Sequence, residues 1–191
     1  MVFMMPGRLA AACITMLLLV MLLFVMMSAH PVAAGETVPN MSAEEWLKRG
    51  YVYEGMGNSR AAVKAYTQAI RINPEYADAY SNRGISYTEL EEFRSAIRDF
   101  NRAIQLNSGE AKYYFNRGIV YGKCEEYRLA MVDFDKAISI NRQYAAAYFW
   151  LGIIQSMYGD AKIGREKVII SARLGYEVAQ GYLKSRHVRW N

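Results

Sequence analysis

The sequence contains few of the side chains from which catalytic and metal sites are usually built. Its 191 residues include only two cysteines and two histidines. Cys13 lies in an apolar N-terminal stretch and Cys124 is alone in the rest of the chain, so we expect no disulfide there. His30 and His187 have no cysteine or acid beside them at ligand spacing. The chain is therefore not a disulfide scaffold, and we predict neither a metal site nor a cofactor.

Catalytic motifs are also missing. The glycines do not form a phosphate-binding loop, and no serine, cysteine or lysine is placed in a motif with a recognisable base. The acidic run at residues 89–92 lacks the spacing of a calcium loop. We therefore expect a protein that is not an enzyme.

The excess of basic charge is small. The formal net charge is +5, and lysines and arginines are interspersed with acids along the chain. Nucleic-acid binding usually requires basic residues clustered on one face. We predict no nucleic-acid partner.

The first part of the chain does have one long hydrophobic run. The run from Leu9 to Ala29 contains no charged residue, and it is long enough to span a bilayer. One interpretation is a signal peptide over residues 1–34, cleaved after Ala34 at a small-residue exit. The other is an uncleaved membrane anchor, which the length of the run favours. Residues 35–42 then form a linker.

Both interpretations predict the same topology. Arg8 precedes the hydrophobic run, and the first charge after it is Glu36, so the remaining chain should lie outside the cytoplasm. We expect a protein of the bacterial cell envelope. It would be periplasmic or secreted if the segment is cleaved, and anchored in the inner membrane if it is not.

The rest of the sequence repeats with a period of about 34 residues. Several residue types recur at the same position of each unit. An aromatic residue stands four positions before a glycine, and alanine and aromatic positions follow in the second half of the regular units. The first column is Trp46, Tyr80, Tyr114 and Tyr148, and the second is Gly50, Gly84, Gly118 and Gly152. We divide the chain into units 43–76, 77–110, 111–144 and a degenerate 145–174.

Each unit contains two amphipathic stretches with the three- and four-residue spacing of helices. The first stretches are predicted at 43–56, 77–90, 111–124 and 145–158, and the second at 59–72, 93–106, 127–140 and 161–174. Residues 175–191 are predicted to form a capping helix and a basic tail, because the end of a repeat stack needs a solvated outer face.

These residues resemble the tetratricopeptide repeat family. The resemblance is carried by Trp46, Gly50 and Tyr53 of the first helix, by Ala62, Tyr66 and Ala69 of the second, and by Pro74. It implies an all-α fold, a right-handed α-solenoid of antiparallel helix pairs with about four repeats plus a C-terminal capping helix. One departure is that Arg49, Arg83 and Arg117 replace the usual leucine before the glycine.

The resemblance implies that a protein or peptide binds in a concave groove lined by the first helices. The candidate partner-binding residues are Leu47, Tyr51, Asp78, Asn82, Lys112, Phe115, Asn116, Phe149 and Trp150. Leu47 and Tyr51 replace the lysine and asparagine with which chaperone adaptors of the family clamp a terminal carboxylate, so we do not expect that ligand. The groove should be mainly apolar, acidic in its early part and basic later.

Two structural questions remain open at this stage. The ninth residues of the later units, Ile85, Ile119 and Ile153, can belong either to the core or to the groove. Phe149 and Trp150 can be exposed in the groove or covered by the capping helix. The functional prediction is a non-catalytic scaffold or adaptor of the cell envelope, and the alternative is a membrane-anchored structural protein that self-associates.

Overall fold

The computed structural model describes residues 41–190. The predicted signal or anchor segment lies outside the described residues, as does most of the linker. Within residues 41–190, none of the helices is both long and apolar enough to cross a membrane.

The described residues form nine helices and no strand, which confirms the all-α repeat fold of about four units plus a terminal helix. We number the helices in chain order. The first helices of the four units are α1 (Ala43–Gly55), α3 (Ala77–Glu89), α5 (Ala111–Lys123) and α7 (Ala145–Tyr158). The second helices are α2 (Ser59–Ile72), α4 (Phe93–Leu106), α6 (Tyr127–Ile140) and α8 (Ala161–Arg173), and the terminal helix is α9 (Glu177–Ser185). Each begins within about a residue of its predicted position.

The first helix begins with a capping box. The Glu45 backbone N–H donates to Ser42 Oγ at 3.2 Å, and the Ser42 N–H donates to Glu45 Oε2 at 2.7 Å. This reciprocal pair satisfies two backbone donors that a helix N-terminus otherwise leaves free. Ser42 therefore fixes the start of the repeat array at the predicted residue.

Each helix pair is held by a glycine on the first helix facing a large side chain on the second. A Cβ atom added at Gly84 would lie 2.9 Å from Phe100 Cζ, and one added at Gly118 would lie 2.8 Å from Phe134 Cε1. Phe100 and Phe134 are buried, as is Tyr66 opposite Gly50. The repeating glycine is thus required by space, because the aromatic ring occupies the volume a side chain would need.

Two of the arginines that replace the usual leucine, Arg83 and Arg117, each connect three helices. Arg117 donates to both carboxylate oxygens of Asp133, at 2.8 and 2.7 Å, and to Asn101 Oδ1 at 2.6 Å. Asp133 lies on the paired helix α6, whereas Asn101 lies on the preceding second helix α4. Arg83 makes the equivalent contacts with Asp99 and Thr67. Bidentate geometry fixes direction as well as distance, so these arginines set the register between units.

The fourth unit keeps the helix pair by a different route. Gly164 occupies the place that alanine has in the other units, and a Cβ atom added at Gly152 would lie 2.6 Å from the Gly164 carbonyl oxygen. Val168, which is buried, takes the place of the aromatic residue. The two backbones therefore approach closely, and α9 covers them with the buried Ala179 and Leu183. The degenerate sequence still forms its second helix.

Two glycines of α5 provide a test of this packing. Gly118→Ala should lower the free energy of unfolding by about 1–3 kcal/mol, because the new methyl group overlaps Phe134. Gly122→Ala, one turn later, has no heavy atom within 4 Å of the added Cβ and should raise stability by about 0.5–1 kcal/mol. Urea unfolding followed by circular dichroism measures both. Equal effects of the two substitutions would contradict the role of Gly118.

Candidate binding groove

The first helices contact one another directly and form one wall of the array. Asn82 Nδ2 of α3 donates to the Tyr51 hydroxyl of α1 at 2.9 Å, and the Ser86 hydroxyl donates to Glu54 Oε1 at 3.0 Å. One unit further, the Tyr113 hydroxyl of α5 donates to Asp78 Oδ1 of α3 at 2.7 Å. This wall is the surface predicted to hold a partner.

The fifth residues of the units turn away from the wall, contrary to their predicted place in the groove. Leu47 is 7% exposed and packs against Ala62 and Tyr66. Phe149 is 5% exposed, with its ring 5.6 Å from that of Tyr176 and close to α9. The physical reason is that both residues fill the space between their own helix and the next element, which leaves almost no surface for a partner.

Phe115 lies in an intermediate position. Its ring centroid is 5.7 Å from that of Phe134 and 4.9 Å from that of Tyr144, so it is half-buried in the core between α5, α6 and the start of α7. Phe115 is therefore only partly accessible to a partner.

The two asparagines differ from each other. Asn82 is only 8% exposed and its amide is engaged with Tyr51, so it connects two helices. Asn116 is half-buried and lines a cleft of about 120 Å³ together with Ile85, Glu89 and Ile119. Asn116 is therefore the better placed of the two to bond a partner's backbone.

Asp78 and Lys112 neutralise each other across the wall. Lys112 Nζ lies 2.9 Å from Asp78 Oδ1. Burial alone would raise the pKa of Asp78, but hydrogen bonds from Lys112 and Tyr113 outweigh it and lower the pKa. Burial likewise opposes the charge of Lys112, whose pKa is nevertheless raised by Asp78. The predicted acidic-to-basic gradient is weakened at its centre, because these two predicted site residues pair with each other.

Two acidic residues, Glu54 and Glu89, lie near each other at the C-terminal ends of α1 and α3. Burial raises the pKa of Glu54, and the nearby charge of Glu89 raises it further, although the hydrogen bond from the Ser86 hydroxyl acts in the opposite direction. The Ser59 hydroxyl donates to Glu89 Oε2 at 2.5 Å. Neither carboxylate faces a basic side chain in an ion pair within residues 41–190. We call Glu54 and Glu89 the acidic pair.

An apolar cleft of about 430 Å³ opens between α5 and α7. Ile119 and Ile153 form its floor, and Trp150 and Met157 form its rim at 39% and 65% exposure. Gly122 leaves the space open, since no heavy atom lies within 4 Å of its missing side chain. We call this feature the apolar cleft. It shows that Ile119 and Ile153 line the groove as well as being partly buried.

The sequence of the first three units matches models of a known repeat. A model described as tetratricopeptide repeat matches residues 77–109 and 111–144, and one described as TPR repeat matches residues 50–90. The chain belongs to the tetratricopeptide repeat (TPR) family. No protein in a curated set matches the sequence. The TPR fold is typically a non-catalytic protein-interaction module, and the repeats of this chain support a protein-interaction scaffold.

Solved structures of TPR proteins resemble it over much of its length. The crystal structure of MamA is 25% identical with a TM-score of 0.66, and the match covers 72% of this chain and 81% of MamA. The Arabidopsis OM64 TPR domain is 26% identical with a TM-score of 0.59, over 60% of this chain and 95% of that domain. The first TPR of Spaghetti (RPAP3), bound to the HSP90 peptide SRMEEVD, is 24% identical with a TM-score of 0.60, over 62% and 94% of the two chains. The last comparison supports the fold alone.

Sequence reasoning missed the residue that creates the apolar cleft. Gly122 breaks the column formed by Glu54, Thr88 and Ser156, and this loss of a side chain next to apolar neighbours was the available signal. Met157 was missed because its unit is degenerate and its exposure depends on where α7 ends.

The acidic pair predicts a pH-dependent effect on stability. Because the folded state raises the Glu54 pKa, ionising this carboxyl costs stability at neutral pH, and stability returns as the pH falls through the raised pKa. Glu54→Gln should therefore raise Tm at pH 7 by up to about 2–4 °C, the shift expected from about 1 kcal/mol in a domain of this size. The gain should vanish below the ordinary glutamate pKa, where the wild-type carboxyl is also neutral. Thermal melts of Glu54→Gln and the exposed control Glu75→Gln at both pH values measure this, and a lower Tm at pH 7 would contradict it.

Proposed function

We propose that this TPR protein holds an extended segment of another envelope protein in its groove, as a non-catalytic adaptor. The observation that carries the proposal is the apolar cleft. Its rim residues Trp150 and Met157 are exposed, although exposure of large apolar side chains costs free energy unless a partner covers them. The cleft has room for one bulky apolar side chain of the partner.

The acidic pair adds a second requirement on the same segment. Burial and then the charge of Glu89 disfavour the ionised form of Glu54, and a lysine or arginine placed between the two carboxylates would offset both effects. The acidic pair belongs to the first two units and the apolar cleft to the last two. The preferred segment therefore carries a basic residue toward the first units and a bulky apolar residue toward the fourth.

This preference differs from that suggested by one structural neighbour. The first TPR of Spaghetti is bound to SRMEEVD, a peptide with two adjacent glutamates. A peptide of that type would bring negative charge into a groove that already contains the acidic pair. Neither Leu47 nor Tyr51 carries a positive charge that could bind an incoming carboxylate. In addition, Leu47 is buried and the Tyr51 hydroxyl is hydrogen-bonded to Asn82. An acidic terminal peptide is accordingly disfavoured.

The proposed location follows from the sequence of residues 1–34. Their uncharged run and the preceding Arg8 favour export, with the repeats outside the cytoplasm, either free in the periplasm or tethered to the inner membrane. The mass of the mature protein tests this, since a chain that begins at Gly35 has been cleaved.

Selection from a displayed library of random peptides tests the groove. Selected peptides should share a bulky apolar residue and a lysine or arginine. Gly122→Leu should fill the apolar cleft and weaken binding of those peptides by at least about tenfold, since it blocks burial of one side chain worth about 1.5–3 kcal/mol. Fluorescence anisotropy with one selected peptide measures the change.

A matched glycine supplies the control. Gly181 lies within α9, and a side chain added there also meets no heavy atom within 4 Å. Gly181→Leu should leave peptide affinity unchanged. Selected peptides rich in acids, or equal affinity for both leucine variants, would place binding elsewhere.

A second candidate function is end-to-end association of copies of the chain. Both ends of the repeat stack expose apolar side chains, namely Val52 of α1 with Met56 just after it, and Val178 of α9 with Leu174 just before it. Such faces can meet head to tail and extend the array. Sedimentation across a wide range of protein concentration should then show growing oligomers, and Met56→Glu should reduce them. A monomer at every concentration would rule this candidate out.

A further inference from the structure

The second helices carry a basic column that is not apparent from the linear sequence. Arg60, Arg94, Arg128 and Lys162 occupy the same position in successive units and are all exposed. The repeat therefore collects onto one surface the basic residues that alternate with acids along the chain. On α2 and α4 this surface carries no exposed acid, whereas the later second helices carry the exposed acids Asp135 and Glu166.

The column is strongest on α2 and α4. On α2, Lys64 and Arg71 lie four and eleven residues after Arg60, so all three share one stripe of the helix. On α4, Arg98 and Arg102 follow Arg94 at four-residue steps. We call these six exposed side chains the basic face.

No acid balances the basic face on its own helices. The sequence of α2 contains no aspartate or glutamate, and Asp99, the only acid of α4, is buried and bound to Arg83. The ion pairs found within residues 41–190 include none of the six basic side chains. Nearby acids such as Glu75, Glu91 and Glu92 lie in the turns at the ends of the helices. The basic face therefore concentrates positive charge that no ion pair on α2 or α4 neutralises.

Exposed aliphatic side chains continue the same surface on the later second helices. Leu129 and Val132 of α6 and Ile163 and Ile170 of α8 are all exposed. In the repeat register, Val132 takes the place of Lys64 and Arg98, and Ile170 takes the place of Arg102. The outer surface therefore combines basic residues with aliphatic ones.

We propose that the outer surface of the second helices binds an anionic phospholipid bilayer. Basic side chains are attracted to the negative headgroups, and aliphatic side chains gain by entering the boundary between headgroups and acyl chains. A nucleic acid accounts for the basic face but offers no site for Leu129, Val132 and Ile163. The uncharged run at residues 9–29 also ends a short distance before α1 in the sequence of the same chain. Both features favour lipid.

Lipid contact on this surface leaves the groove free. The groove is formed by the first helices, whereas the proposed lipid surface is formed by the second helices. The inference does not depend on which segment the groove binds. Each basic residue near a negatively charged bilayer should contribute roughly fivefold to the preference for anionic over neutral lipid.

A fluorophore on the basic face provides a readout that anchoring by the N-terminal segment does not imitate. In the full chain with Cys13→Ser and Cys124→Ser, one cysteine is placed at Gln105, whose Oε1 accepts a hydrogen bond from Arg102 at 3.5 Å. The labelled protein is reconstituted with vesicles of phosphatidylcholine, with or without about one third phosphatidylglycerol, containing a spin-labelled lipid as quencher. Quenching should be strong only with phosphatidylglycerol, and salt should reverse it.

Two controls distinguish the basic face from overall charge. A fluorophore at Gly55, at the groove end of α1, should not be quenched in either vesicle. Replacing Arg60, Lys64, Arg94 and Arg98 by glutamine should abolish quenching at position 105, whereas replacing Lys48, Arg142, Lys184 and Arg189 by glutamine should not. Circular dichroism melts establish that both variants remain folded.

Three results would overturn the inference. The first is equal quenching at position 105 in neutral and anionic vesicles. The second is an equal loss in the two four-residue variants. The third is tight, salt-sensitive binding of a duplex RNA or DNA probe by the wild-type chain without lipid quenching, which would make nucleic acid the partner of the basic face.

Discussion

The close approach of paired helices is the constraint on which the rest of the array depends. At Gly84 and Gly118 the first helix has no side chain, and the facing phenylalanine occupies the space. This brings the two backbones close together, and the alanines of the second helix are buried against the first. Since the same contact recurs at the same position of each regular unit, each unit presents the next one with the same surface, and the stack grows by repetition. The fourth unit meets the same constraint with Gly164 and Val168, so its sequence changes while its backbone spacing is kept.

The arginines in place of leucine show that polar contacts, as well as apolar packing, hold neighbouring units together. Arg83 and Arg117 each have an aspartate at the facing position of the second helix and a hydrogen-bond acceptor on the preceding second helix. In the fourth unit Leu151 takes the arginine's place, and the aspartate's place is taken by Lys167. In the first unit Arg49 faces Ala65 instead of an aspartate, is exposed, and donates to the Tyr53 hydroxyl of its own helix at 3.1 Å. A buried charge without its partner is costly, so the aspartate accompanies the arginine in the two units where the arginine is largely buried.

The sequence was sufficient to predict the helices because spacing, caps and turns are local properties. The repeat register placed the start of each helix within about a residue. The groove was harder, since the direction of a side chain depends on how far its helix is rotated against its neighbours. Leu47 and Phe149 were assigned to the groove. A small rotation of the first helix about its axis is enough to point this position into the core, where both side chains lie. Asp78 and Lys112 were assigned opposite charges along a gradient, and only their 2.9 Å contact reveals that they cancel. Gly122 carries no side chain of its own and matters only through its neighbours on α7.

The charge distribution suggests why a small net charge is misleading in a repeat protein. A fixed period returns each position to the same surface, so residues that alternate along the chain separate in space. The acidic pair lies on the first helices, while the exposed faces of α2 and α4 carry only basic charge. Charge is therefore distributed unevenly between the two sets of helices in the first two units. An anionic surface would attract α2 and α4 and leave the first helices facing away from it. Binding of a basic segment in the groove would be favoured by the same charge distribution, because the segment would approach from the side that the surface leaves open. The two proposed interactions are therefore compatible on one small array, and each acts through a different set of helices.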